Sequence, residues 1–87
     1  MIGTIKYMLA PQQITATFTK AEVVIVTEEQ HPQTIKFELH NQACNELQGK
    51  SIGQRVFVNF NIRGREYVKD GNVSVFNTLV AWKLTPQ

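Results

Sequence analysis

From Phe57 to Tyr67 the chain reads Phe-Val-Asn-Phe-Asn-Ile-Arg-Gly-Arg-Glu-Tyr, and the side chains suited to chemistry recur at every second position. Phe57, Asn59, Asn61, Arg63 and Arg65 share one parity, while Val58, Phe60 and Ile62 share the other. Successive side chains of a strand point to opposite faces, so the first set predicts an outward row and the second a core-facing row. An aromatic ring, two amides and two guanidiniums are not what folding alone requires. They suit a face that meets phosphates and bases. Alternate strand residues stand roughly 6.5–7 Å apart, close to the phosphate repeat of an extended single strand. Gly64 removes a side chain between the two arginines and lets a backbone approach. The plainer reading of Arg63 and Arg65 is a solvated strand end, with Arg65 paired to Glu66 or Glu38.

Other residues fit the same chemistry. Tyr67 stands in or beside a hairpin loop with Lys69 close by, the basic and aromatic mix that single-strand binders use. Phe57 is grouped by parity with polar residues, which makes it a base-stacking ring or part of an interface between copies. Lys20 and Lys36 would border the same groove in a small barrel, although each alone reads as a solvated lysine. Phe18, Phe37, Phe60 and Phe76 are expected in the core, and Trp82 in the core or an interface. Glu22, Glu28, Glu29, Glu38 and Glu66 dilute the positive field, and the net charge is only +2. That balance permits an anionic partner without demanding one.

Catalysis finds little support. The chain has no HExxH, no glycine-rich phosphate loop and no paired-cysteine metal signature. His31 and His40 lie near Glu28, Glu29 and Glu38 in sequence, yet loop and strand-surface histidines are the ordinary case, so neither a metal nor a cofactor is expected. Cys44 has no partner for nucleophilic work and reads as a packed helix residue. The expectation is a binding protein and not an enzyme.

These residues need strands to position them. Gly3–Leu9 alternates ahead of Pro11, which predicts a first strand ending near Ala10. Pro11–Thr19 fits either an extension of that strand or an exposed β-arm. Ala21–Thr27 is rich in β-branched residues, and Thr34–His40 alternates with Ile35, Phe37 and Leu39 inward. Asn41 opens a short helix through Leu47, with Ala43, Cys44 and Leu47 on its packed face and Gly49 beyond its end. A fourth strand spans Arg55 to about Arg65, Asp70-Gly71 marks a turn, and a last strand runs from about Val73 to Leu84. The parity of that last strand is ambiguous, as a bulge or burial on both faces would make it. Five strands with one helix between the third and fourth is the element order of an all-β, OB-fold-like Greek-key barrel. An SH3-like barrel or a swapped β-sandwich shares the pattern, because strand order cannot be read from periodicity.

The 87 residues make one domain, 1–87, with 43% hydrophobic residues and therefore a foldable core. No apolar run approaches the ~20 residues of a membrane span, and the first residues lack a signal peptide's apolar core. A lone cysteine fits a reducing cytoplasm. Val23 and Ile25 alternate with Val24 and Val26, so both faces of the second strand are apolar. A homodimer or higher homo-oligomer would cover the outer one.

Four blocks carry a family resemblance. They are Phe18-Thr19-Lys20-Ala21-Glu22, Val26-Thr27-Glu28-Glu29-Gln30-His31-Pro32-Gln33, Asn61 through Tyr67, and Phe76-Asn77-Thr78-Leu79 with Ala81-Trp82-Lys83. Over nearly its whole length the chain resembles DUF3127, a small family of Bacteroidetes and their phages. The resemblance implies an OB-like barrel similar to single-stranded DNA-binding proteins. The family pattern has a basic residue where this chain has Ala21 and a tyrosine where it has His31, which implies the loss of a candidate phosphate contact at the first and a smaller candidate stacking ring at the second. The ending Thr85-Pro86-Gln87 lacks the acidic tail by which bacterial single-strand binders recruit partners, which suggests a compact accessory or phage-type protein. Together these readings predict a protein of low sequence specificity that binds single-stranded DNA, or RNA, in replication, recombination or repair. The alternative is a homo-oligomeric interaction module that binds no nucleic acid. An oligosaccharide- or small-ligand-binding barrel would need more outward aromatics.

Overall fold

Pro11 does not end the first strand, contrary to expectation. In the computed structural model, which describes residues 1–87, β1 runs Ile2–Thr15 and pairs antiparallel with β2, Phe18–Thr27. A register irregularity between Leu9 and Gln12 absorbs Ala10 and Pro11, and a residue without an amide N–H costs nothing where the ladder is already interrupted. The segment left open between extension and arm is therefore both, a strand that continues into a hairpin.

β3 follows at Thr34–His40, then a short 3₁₀ helix at Asn41–Leu47, β4 at Arg55–Lys69 and β5 at Asn72–Pro86. The strand order is β1-β2-β3-β5-β4, and β1 returns to β4 through Ile2↔Phe57 and Thr4↔Arg55, so the sheet closes in a ring. β3 meets β5 in parallel at Glu38↔Val80. This is the expected OB-fold-like Greek-key topology, and the SH3-like and swapped-sandwich alternatives fall away. The helix seats against the ring where Cys44 donates its thiol to the Leu39 carbonyl at 3.2 Å. Glu46 accepts the Leu84 N–H at 3.0 Å. Asn41 does not cap the helix through its own side chain. It adopts φ 53° and accepts the Thr19 N–H at 2.9 Å, tying the helix start to β2.

The period-two rows build the core. Val23, Ile25, Phe37, Leu39 and Val56 are fully buried, with Ile5, Val58 and Leu84 beside them. Gly3 lets β1 lie close on β2: a Cβ there would stand 2.6 Å from the Val26 carbonyl oxygen and collide with Ile25 Cγ2.

The two hairpins outrun the ring. The Cα radius of gyration is 14.5 Å, against about 12 Å for a compact chain of this length. From Asn61↔Val80 to Lys69↔Asn72, β4 and β5 continue as a two-stranded ribbon, closed by Asp70 and Gly71 with φ 51° and 79°. Two positive φ values in a two-residue connection are the type I′ geometry that matches strand twist.

Two expectations fail because of where the ring ends and where a bulge falls. Asn59 pairs with Lys83 and Phe60 with Ala81, which leaves Trp82 unopposed. That extra residue reverses the parity of β5, so Phe76 does not follow Leu84 into the core and is 60% exposed. Ile62 keeps its inward parity but lies beyond the ring, at 68% exposure. Trp82 is 53% exposed and is not a core residue, while Phe18 and Phe60 are half-buried.

Candidate nucleic-acid interface

The outward row of β4 becomes the front of the ribbon. Arg63, Arg65, Tyr67 and Lys69 alternate along it, and their cross-strand partners Thr78, Phe76, Ser74 and Asn72 lie on the same side. Tyr67 and Phe76 meet edge to face with ring centroids 5.8 Å apart and planes at 70°. Arg65 donates from Nη1 to the Tyr67 hydroxyl at 3.3 Å. That bond, with the favourable charge interaction beside it, holds the guanidinium above its ordinary pKa. A guanidinium stays charged in a protein whatever its neighbour, and this bond biases its position toward the ring.

Glu38 and His40 of β3 complete the wall opposite. With Arg63, Arg65, Tyr67, Phe76 and Thr78 they enclose an open groove of about 430 Å³. A second depression of about 250 Å³ continues from it past His40 and Arg63 to Val80, Ala81 and Trp82. His40 Nε2 and Glu38 Oε1 are 2.8 Å apart, and the His40 ring packs edge-on against Phe18 at 4.9 Å.

Ion pairing sorts the cations. Lys20 Nζ lies 4.0 Å and Lys36 Nζ 3.4 Å from the Glu22 carboxylate, so both lysines share one acid. Arg55 is held by both oxygens of Glu28. Neither Arg63 nor Arg65 reaches a carboxylate, so the expected alternative pairing with Glu66 or Glu38 does not occur. Unpaired guanidiniums present planar, forked donors that match phosphate oxygens.

The structure brings Arg63, Arg65, Tyr67 and Lys69 onto one face, and β2–β3 register sets Lys20 opposite His40 at the groove's edge. It leaves Lys36 four residues down β3 from His40. Phe57 lies six residues before Arg63, about 20 Å along the strand, beside Ile2 and Thr85 at the far end of β4. Sequence reasoning missed Phe76, Trp82, Thr78 and His40 as groove residues. The mixed parity of β5 was the available signal, because one bulge at Trp82 would have turned Phe76 toward Arg65. No group of three or more His, Cys, Asp or Glu side chains stands together as a metal site.

The architecture has relatives among solved structures. A crystal structure of the small single-stranded DNA-binding protein from Streptomyces coelicolor superposes with a TM-score of 0.59 at 12% identity, covering 99% of this chain and 89% of that one. At that identity the likeness is one of fold. No curated protein matches the sequence. The DUF3127 profile, described as a domain of unknown function, matches residues 1–85, and the chain therefore belongs to the DUF3127 family.

Proposed function

We propose that this chain is a non-catalytic binder of single-stranded DNA that holds the strand along the front of the β4–β5 ribbon and across β3. The observation that carries the reading is the pair of unpaired guanidiniums, Arg63 and Arg65, set beside the Tyr67–Phe76 aromatic pair in one groove. Arg63 and Arg65 bind neighbouring phosphates and Lys69 one further along the strand, and Tyr67 and Phe76 offer ring faces and edges to bases. Stacking tolerates any base, which makes the binding weakly specific. In OB-folds generally, the face of strands 2 and 3 and the β1–β2 and β4–β5 loops take up oligonucleotides, and this groove occupies that region. The similar fold of a protein named for single-stranded DNA binding agrees with the reading. Lys20 and Lys36 stay with Glu22 and lie outside this three-cation contact. Phe57 has no part in this groove.

The test is fluorescence anisotropy of a labelled oligo(dT) of about thirty nucleotides, titrated with wild type and with Arg63→Ala/Arg65→Ala at two salt concentrations. Salt-sensitive binding that the double variant loses supports the site. Absence of binding by wild type at tens of micromolar protein in low salt ends the proposal.

A further inference from the structure

The back of the β4–β5 ribbon has a different chemistry from its front. Ile62, Gly64, Glu66 and Val68 alternate along β4, facing the same side as Leu79, Asn77, Val75 and Val73 on β5. Ile62, Val68, Val73 and Val75 are 59–68% exposed. A two-stranded ribbon is marginally stable alone in water, and neither neighbour in the ring supports this one. β1 pairs with β4 only as far as Phe57, and β3 meets β5 only at Val80.

Gly64 adds an independent sign. It has ordinary extended backbone, so no turn requires glycine there, and a Cβ at this position would meet only Asn77 Oδ1, at 3.4 Å. Glycine weakens a strand interior and often marks a bulge, a bend or a close approach, and the regular register at Gly64 leaves close approach. Gly64, with the Asn77 amide beside it, leaves a shallow dip between the aliphatic ends of the stripe.

We infer that this back face docks on the back face of a second copy of the chain. The stripe is self-complementary. Ile62 and Val68 stand three residues either side of Arg65, and Val73 and Leu79 three residues either side of Phe76, while Arg65 and Phe76 are themselves cross-strand partners. Two ribbons stacked face to face and running in opposite directions, about a two-fold axis at that level, set Ile62 over Val68 and Leu79 over Val73. The sheets then lie at the usual ~10 Å spacing, and the contact is isologous. Glu66 of each copy falls over the Gly64 dip of the other, and its carboxylate reaches water past the unpaired edge of β4. The reversed direction sends the two barrels to opposite ends, so they do not collide.

The aliphatic area is on the order of 400 Å² per copy, about half of what each partner gives a standard interface. The dimer is accordingly a reversible one that forms in the micromolar range. Both arginine fronts stay outward in it. The association rests on the back face alone and stands whether or not the front binds DNA.

Sedimentation velocity from 1 to 200 µM tests it. Wild type is expected to rise from the monomer mass of 9.9 kDa toward twice that value. Val73→Lys/Val75→Lys is expected to remain a monomer throughout, and Arg63→Ala/Arg65→Ala to associate as wild type does. Val73 and Val75 are exposed, so the lysine variant keeps its fold, which circular dichroism melting verifies. Wild type that stays monomeric to 200 µM overturns the inference and leaves the stripe to a different protein. A lysine variant that associates like wild type also overturns it, by moving the contact to another surface.

Discussion

Replacing Arg63 and Arg65 with alanine removes two of the three cations on the ribbon's front and leaves Lys69. Both side chains are exposed and outside every ion pair, so the change leaves the fold intact. Each phosphate neutralised on a single strand contributes about −0.7 to the slope of log K against log salt, so three contacts predict a wild-type slope near −2.1. Between 50 and 200 mM salt that is a fall in affinity of about 18-fold. One remaining contact predicts a slope near −0.7 and a fall of about 2.6-fold. Anisotropy titrations of labelled oligo(dT) at four or five salt concentrations separate the two lines clearly. A double variant that keeps the wild-type slope refutes the reasoning, because the phosphates would then be held elsewhere. A wild-type slope near −3.5 would mean that Lys20 and Lys36 leave Glu22 to join the contact, and the variant should still lose about 1.4 from it.

Tyr67→Ala removes a ring and no charge, so it should weaken oligo(dT) binding by about 1–3 kcal/mol with the salt slope unchanged. A changed slope would show that Tyr67 acts by positioning Arg65 and not by stacking. Gly3→Ala forces a Cβ against Val26 O and Ile25 Cγ2, and overpacking of this kind costs about 1–3 kcal/mol. The urea midpoint should fall accordingly, and an unchanged midpoint would contradict the close β1–β2 approach. Glu28 is held below the ordinary carboxylate pKa, chiefly by its hydrogen bonds from Arg55. A depressed folded-state value gives stability that is present at neutral pH and lost as pH falls through the carboxylate range. Glu28→Gln should therefore lose less stability than wild type on acidification from pH 7 to 3, and equal losses in denaturant midpoints would rule that contribution out.

Much of the scaffold was legible in the residues. Ile35, Phe37 and Leu39 alternate with Lys36, Glu38 and His40, and β3 occupies the span that alternation predicts. Asp70-Gly71 specified its turn because few residue pairs tolerate two positive φ values. Arg63 and Arg65 were readable as a row because a strand's period of two carries them to one side whatever the strand pairs with, whereas Tyr67 and Lys69, expected in or beside a loop, join the row because β4 runs on to Lys69. Pro11 misled because its missing N–H ends a regular ladder but not one already broken by a bulge.

What local pattern could not supply depended on partners distant in sequence. Periodicity is silent about which strand lies beside which, so the Glu38↔Val80 meeting that brings β3 up to the arginines is a property of the closed ring. Lys20 meets Glu22 along β2 and Lys36 meets it across the β2–β3 register, while no strand brings a carboxylate to Arg63 or Arg65. Phe76 faces the groove because Trp82 is one residue more than β4 can match, and that surplus exists only in the pairing of two strands. Ile62 has the side chain of a core residue and the parity of one, yet burial needs an opposing wall, and the wall stops at Phe60. The chain by itself determined the strands and the chemistry of each face; the tertiary pairing decided which faces meet and which remain open, because a side chain's surroundings are set by strands far from it in sequence.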